Sequence, residues 1–249
     1  MIKIETKKQN KAPSTFYYLS KTVGKAIHEY GLIENGDKIL VAVSGGKDSA
    51  ALLKILNYKR RYLPVKYDIA AIHINMPQEN EKVGKTLEKF FKDEGVTYYF
   101  RSATFENNKQ NKRGGKCFWC AWNRRKELFI AAKELGYCKI AFAHHMDDII
   151  ETMLMNLFFN GEISAMSVNL KMFGGKINII RPFVYAEEKL IEKFCKETKV
   201  PVFADKCPYH KENSRFLIKN IVKQVDRICP HVKTNIYRSI KRVKGDYLI

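Results

Sequence analysis

No uninterrupted apolar run in this 249-residue chain approaches membrane-spanning length, so no helix is expected to cross a bilayer. Its first residues, Met1-Ile2-Lys3-Ile4-Glu5-Thr6-Lys7-Lys8, lack the apolar stretch of a secretory signal, and the expected compartment is the cytoplasm. Internal repeats and low-complexity segments are absent, which argues against a solenoid or a disordered tail. Acidic residues are scarce beside basic ones: 26 Asp+Glu face 45 Lys+Arg, for a net charge of +19. That excess favours a polyanionic partner. Cysteines number six, and in a reducing compartment they stay thiols, so a disulfide framework is not expected. A hydrophobic fraction of 45% is ordinary for a globular protein and supports one main core with a small appendage.

What is present is an alternation. Apolar runs at 38–43, 68–75, 97–101, 139–144 and 177–181 read as strands, and amphipathic stretches at 47–60, 80–94, 118–136, 147–160, 186–198 and 214–226 read as helices. Such alternation argues an α/β fold with a doubly wound, mostly parallel sheet. An amphipathic helix with Phe16, Leu19, Val23 and Ile27 precedes the first strand, and a basic helical extension follows the last. The expected organisation is an N-terminal helical segment over 1–35, an α/β domain over 36–200 and a C-terminal basic helical region over 201–249. A doubly wound sheet binds its ligand beyond the carboxyl ends of the strands, at a topological switch point. The loop at 44–49, His73 and His144-His145 all fall at strand ends, so three separated segments are expected to share one crevice.

The loop is the most informative of them. The strand Lys38-Ile39-Leu40-Val41-Ala42-Val43 breaks at Ser44-Gly45-Gly46, and a helical pattern of Ala50, Leu52, Leu53, Ile55 and Leu56 follows. Two glycines at this break let backbone N–H groups close on an anion, and the helix N-terminus adds partial positive charge. Lys47 adds a full charge, and Ser44 and Ser49 add hydroxyls. Asp48 would repel phosphate unless a divalent cation sits between them. The common nucleotide loop requires Gly-Lys followed by Ser or Thr, whereas Gly46-Lys47 is followed by Asp48. The segment resembles instead the loop of the ATP-pyrophosphatase enzymes, which cleave ATP between its α and β phosphates and adenylate a carbonyl oxygen. The bland alternative is an ordinary strand–turn–helix corner.

Cys117-Phe118-Trp119-Cys120 is the second constellation. Two thiolates at this spacing near a helix start reach one metal or one cluster, and the spacing also fits a redox pair. Cys207, in Asp205-Lys206-Cys207-Pro208-Tyr209-His210, is the third candidate ligand. A zinc site would use Cys117, Cys120, Cys207 and His210; an iron–sulfur cluster would use the three cysteines and leave one iron open. Cys138 and Cys195 read as buried small residues, and Cys229 before Pro230 is uninformative.

A third constellation, Ala143-His144-His145-Met146-Asp147-Asp148-Ile149-Ile150-Glu151-Thr152, places two histidines and three carboxylates at a strand-to-helix turn. Asp147 is a candidate N-cap, and Asp148 a nucleotide-site carboxylate acting through magnesium or as a general base. His144 has a nucleotide-site reading and a plain structural one. Basic residues cluster around the cysteines (Lys109, Lys112, Arg113, Lys116, then Arg124, Arg125, Lys126) and near the end (Lys233, Arg238, Lys241, Arg242, Lys244). Tyr17, Tyr18, Phe118, Trp119 and Trp122 offer stacking surfaces for unpaired bases, or core.

Together these segments resemble the tRNA 2-thiocytidine biosynthesis protein family, within the ATP-pyrophosphatase tRNA thiolation enzymes, over about Lys38 to Val225. Arg181-Pro182-Phe183 with Glu187, and Cys207 ahead of Ser214-Arg215, add to the likeness. The resemblance implies an adenine nucleotide alpha hydrolase-like fold. It implies ATP along Ala42, Val43, Ser44, Gly45, Gly46, Lys47, Asp48 and Ser49, with the adenosine near Ile72, His73 and Ile74 and the site completed by His144 and Asp148. Magnesium would be held partly by Asp48 and Asp148, and a 4Fe–4S cluster by Cys117, Cys120 and Cys207. Lys47, Asp48, Arg124 and Asp148 would carry the catalysis. The implied partners are a tRNA, sulfide or a persulfide sulfur donor, and a second copy in a homodimer. Two departures bear on the target base. The chain lacks the extra zinc-binding Cys/His pairs of the thiouridine branches, which favours cytidine; yet Pro208-Tyr209-His210 follows Cys207 where many cytidine enzymes carry a second cysteine. The competing readings are a lysidine-synthetase-like adenylating ligase with a zinc site and a non-catalytic, nucleotide-dependent RNA-binding protein.

Overall fold

The structure is a computed structural model, and it describes residues 14–77, 80–103, 116–203 and 214–247. Six strands form one sheet: β1 (Asp37–Ala42), β2 (Tyr67–Asn75), β3 (Thr97–Ser102), β4 (Lys139–Ala141), β5 (Asn169–Met172) and β6 (Ile177–Ile180), in the order β3-β2-β1-β4-β6-β5. Every pairing is parallel except the β5–β6 hairpin at one edge. The chain steps from β1 outward to β3, then crosses back to place β4 on the other side of β1. The switch point therefore opens between the carboxyl ends of β1 and β4.

Side-chain alternation along these strands builds two cores. Ile39, Val41, Ile69 and Ala71 face one side, against α1 (Ser14–Tyr30), α2 (Lys47–Lys59), α3 (Glu81–Glu94) and α6 (Glu188–Thr198). Leu40, Ala70, Ile72, Ile74 and Ile140 face the other, against Leu128, Ala131 and Ala132 of α4 (Lys116–Glu134). Leu19, Val23 and Ile27 are buried as the sequence periodicity requires, so α1 belongs to the main core. A third cluster joins α5 (Met146–Met155) to α7 (Ser214–Ile228) and α8 (Val232–Ser239), through Met146, Ile150, Ile218 and Val222. The C-terminal helices thus lean on α5, the helix that leaves the switch point.

Some elements differ from the sequence expectation. The strand expected over 139–144 stops at Ala141, because the chain turns there to present His144 and His145. The helix expected over 147–160 is α-helical only to Met155, then widens into one π-helical turn, Asn156–Asn160, closed by Gly161 at φ +67°. Strand β5 was not expected, since four half-exposed residues carry little periodicity. Its turn is built on Gly174 and Gly175, at positive φ values of 69° and 86°. The short, polar α8 was also missed. Cys138, expected buried, is exposed, whereas Cys195 is buried as expected. No helix among the described residues is long and apolar enough to cross a membrane.

Candidate active site at the switch point

The loop after β1 is shaped by its own hydroxyls. Ser49 Oγ accepts from the Ser44 N–H at 3.1 Å and donates to the Gly46 carbonyl at 2.9 Å, while the Gly46 N–H points to Ser44 Oγ at 3.3 Å. Ser49 is buried and its hydroxyl closes the loop. Gly45 sits at φ +88°, a conformation that a side chain would strain. Helix α2 then starts at Gly46 with no side chain capping it, so its first N–H groups face the crevice as an anion-binding end. From behind, the Phe203 N–H bonds the Gly45 carbonyl at 3.2 Å, and the Cys195 thiol lies 3.5 Å from the Lys47 carbonyl. Burial pushes that thiol up to about 12, which makes it a packing group.

Lys47 projects into a chain of charges. Its Nζ lies 3.0 Å from Glu188 Oε1 and 3.3 Å from Asp48 Oδ2, and Lys219 donates to the second Glu188 oxygen at 2.7 Å. Burial alone would raise the Glu188 pKa, but the hydrogen bonds from Lys219 and Lys47 outweigh it and hold the carboxyl at about 2. Asp48 is the opposite case. Its burial outweighs the attraction of Lys47, and the nearby charge of Asp148 adds to the upward shift. Its Oδ1 is buried with no hydrogen-bond partner. An orphaned carboxylate oxygen beside an uncapped helix start, with a second carboxylate near it, suits a hard divalent cation.

The other wall is the β4–α5 turn. His145 is the N-cap of α5 and forms a capping box with Asp148: its ring accepts from the Asp148 N–H at 3.4 Å, and Asp148 Oδ2 accepts from the His145 N–H at 2.9 Å. Asp147, expected as a possible cap of α5, lies one position too far along. It instead accepts from the Glu188 N–H at 2.8 Å, at the start of α6, and from Lys233 at 2.6 Å. The remaining Asp148 oxygen meets Arg215 at 3.1 Å, and Arg215 Nε donates to Glu151 at 2.9 Å. Arg181 Nε donates to His144 Nδ1 at 3.1 Å, which fixes the His144 proton on Nε2. Burial, reinforced by Arg181, holds His144 down to about 4, so the ring is neutral at physiological pH.

His73 lies within β2 rather than after it; its Nδ1–H donates to the Val43 carbonyl at 2.7 Å and ties the two strand ends together. Ile72 and Ile74 bury their side chains in the second core, leaving only main chain for any ligand. Strand β2 outruns the last β1 pair, Ala42↔Ile72, so its final residues flank the crevice along a main-chain edge.

Helix α4 carries the cysteine pair. Four residues apart, Cys120 and Arg124 share one helix face. Cys120 packs partly buried on the second core, and the Arg124 Nε is buried without a partner. One residue on, the charge of Arg125 adds to the burial that lowers His144 and Arg181. Thiolate donors on an otherwise basic helix suit a soft metal or an iron–sulfur cluster. Among the described residues no group of three metal-ligating side chains assembles. Cys207, His210 and the basic residues at 109–113 lie outside the described residues, as does the side chain of Cys117.

The switch point thus joins the loop at 42–49, the end of β2, His144 and Asp148. Glu188, Lys219, Arg181 and Lys233 escaped the sequence reading as site residues. The Arg-Pro-Phe segment with Glu187 pointed to their neighbourhood, but only folding brings Glu188 onto Lys47.

A family model described as the PP-loop domain matches residues 18–225. The tRNA-cytidine(32) 2-sulfurtransferase of Geobacter sulfurreducens is 34% identical over 236 residues, covering 93% of this chain and 91% of that one. The protein of the same name from Geobacter metallireducens is 36% identical over 232 residues, covering 91% and 90%. Among solved structures, the U34-tRNA thiolase NcsA from Methanococcus maripaludis with its 4Fe–4S cluster aligns with a TM-score of 0.77 at 22% identity, over 92% of this chain and 79% of that one. At that identity the likeness speaks for the fold.

Proposed function

Because the chain belongs to the PP-loop domain family, and within it to the family of the tRNA-cytidine(32) 2-sulfurtransferases, we propose that it is an ATP-dependent tRNA thiolase that exchanges the C2 oxygen of a cytidine for sulfur. The observation that carries this reading is the buried, partnerless Asp48 Oδ1 beside the uncapped start of α2, in a chain that also carries Cys117 and Cys120. The reading joins a sulfur-handling cysteine pair to that adenylating crevice. A lysidine-type ligase has no use for that pairing.

The chemistry follows from the geometry. ATP lies with its phosphates over Ser44–Ser49 and its adenosine along the main-chain edge at Ile72–Ile74, with Ala42, Val43 and His73 beside it. The C2 oxygen of the base attacks the α-phosphorus. The α–β bridging bond breaks, and pyrophosphate leaves toward Lys47 and the uncapped start of α2. Magnesium, for which Asp48 and Asp148 are the fitting ligands, supplies charge compensation to the phosphates when bound. Adenylation turns a poor leaving oxygen into AMP. The sulfur of sulfide then bonds C2 as the C2–O bond breaks, and AMP departs with the oxygen. A 4Fe–4S cluster on Cys117, Cys120 and Cys207 would supply that sulfur beside the activated carbon. Arg124 and Lys47 offset charge on the phosphates, and Asp148, aligned by Arg215 and His145, faces the reacting base. His144 stays neutral and anchors Arg181.

With that reading go a cytoplasmic location, where tRNA is modified, and the homodimer that the family resemblance implies. It assigns 36–200 to the ATP-pyrophosphatase domain, 1–35 to a helical lead-in and 201–249 to a basic region carrying the third cysteine. The test is anaerobic incubation of the purified protein with unmodified tRNA, ATP, magnesium and sulfide, followed by mass spectrometry of the nucleosides. AMP, pyrophosphate and 2-thiocytidine are expected. A colourless zinc protein, or AMP formed with no sulfur-containing nucleoside, sinks the proposal.

A further inference from the structure

On the side of α4 turned away from Cys120 and Arg124 lies a strip that the thiolation chemistry does not use. Trp122 follows Phe118 by four residues, and Arg125 and Lys126 follow Trp122 by three and four, so they share a face. Phe118 is 55% and Trp122 46% exposed. The rings form a ladder: Phe118 and Trp119 meet edge-on at 5.5 Å, and Trp119 and Trp122 at 5.8 Å. Lys126 Nζ stands 5.7 Å from the Trp122 ring centroid. Both tryptophans of the chain are in this ladder. The packing of α4 on the sheet relies on other residues, Leu128, Ala131 and Ala132.

We propose that the ladder Phe118–Trp119–Trp122, with Arg125 and Lys126, is a stacking platform for unpaired bases of an RNA loop, set beside the adenylation crevice. The proposal rests on the tRNA thiolase reading and adds a specificity element to it. Aromatic faces stack on any base whose face is open, and open faces belong to loops rather than duplexes. Cations interleaved with the rings neutralise the phosphodiester chain between the stacked bases, in a protein of net charge +19. An acidic protein partner would be drawn by the same charge, but it has no stack of planar faces for a ladder of rings. The charge of Arg125, on the strip, is also felt at His144 and Arg181. A base flipped into the crevice leaves its loop neighbours over the rings.

The test uses the full-length, anaerobically purified protein and a short RNA hairpin with 5-iodouridine in its unpaired loop. Irradiation is expected to crosslink the loop to the peptide bearing Trp119 and Trp122, and to give no such crosslink with a paired duplex of equal length. Trp122→Ala is expected to weaken hairpin binding by roughly tenfold while leaving duplex binding unchanged, and Trp122→Phe to restore most of it. Equal hairpin affinity for Trp122→Ala and the parent overturns the proposal, as does a crosslink confined to other segments. Equal losses for hairpin and duplex would mean that the residue serves the fold or the charge alone, and would overturn it too. Neither readout requires turnover: a crosslink at the ladder without thiolation fails the functional reading alone, and thiolation with an indifferent Trp122 fails the platform alone.

Discussion

Asp48 shows how one residue can be costly to the fold and required by the chemistry. Its Oδ1 is buried without a partner, and burial raises its pKa against the pull of Lys47. Neutralising it relieves desolvation but removes a cation ligand. Asp48→Asn is therefore expected to leave the melting temperature unchanged or higher while lowering ATP–pyrophosphate exchange by about a hundredfold or more. A variant that melts several degrees lower and still exchanges would show that the carboxylate is structural. His144 makes a different statement. Burial and the Arg181 guanidinium hold it at about 4, against an ordinary value of 6.5. The unfolded chain takes up this proton below 6.5, and the folded chain refuses it until about 4. Its contribution to stability is thus full above that window and declines as pH falls through it, by up to about 1.4 kcal/mol per pH unit. Nuclear magnetic resonance of the ring should give a midpoint near 4; a midpoint near 6.5 would mean that the ring is neither buried nor held beside Arg181 in solution.

At the scale of elements, the turn into α5 holds the site together. The capping box between His145 and Asp148 fixes the start of the helix, and Arg215 ties α7 to both Asp148 and Glu151. Replacing His145 with Ala is expected to cost about 1 kcal/mol of stability and to lower turnover further, because Asp148 loses its alignment. Urea unfolding measured beside the thiolation rate checks both, and an unchanged rate would separate the cap from the site. Arg215 is half-exposed, so its ion pairs add little to global stability. Its removal should show locally, as faster hydrogen exchange in α7 with α2 and β1 unaffected. Protection that stays uniform would mean that Ile218 and Val222 alone hold α7 to α5. The alternation, the loop and the cysteine pair were legible in the sequence because each is a local pattern of a few residues. The β5–β6 hairpin and α8 were not, because short half-exposed elements leave almost no periodicity.

For the whole molecule, charge dominates. A net charge of +19 on 249 residues predicts tRNA binding that weakens steeply with salt. A loss of about a thousandfold between ~50 and ~200 mM salt is expected if six or more phosphates are neutralised. A shallow slope would mean that the basic residues near the cysteines and in the C-terminal helices lie off the RNA path. Some of the basic residues are paired inside the protein: Lys47 and Lys219 with Glu188, Lys233 with Asp147 and Lys139 with Asp37. Those carboxylates are already subtracted in the net charge, so the excess of +19 remains for RNA.

The sequence by itself determined the α/β class, the anion-binding loop with its unexpected aspartate, the spacing of Cys117 and Cys120, and the demand for a polyanionic partner. Each follows from local pattern or from composition, which need no knowledge of what lies across the fold. Only the tertiary structure decided that Glu188 meets Lys47 over 141 positions of chain, and that Asp147 serves α6 while His145 caps α5. Only it decided, too, that Ser49 closes the loop and that Arg181 donates to His144. Those assignments depend on which of several chemically similar neighbours reaches a partner first. A difference of one residue at a helix start settles that, and it is fixed only when the sheet order brings the strand ends together.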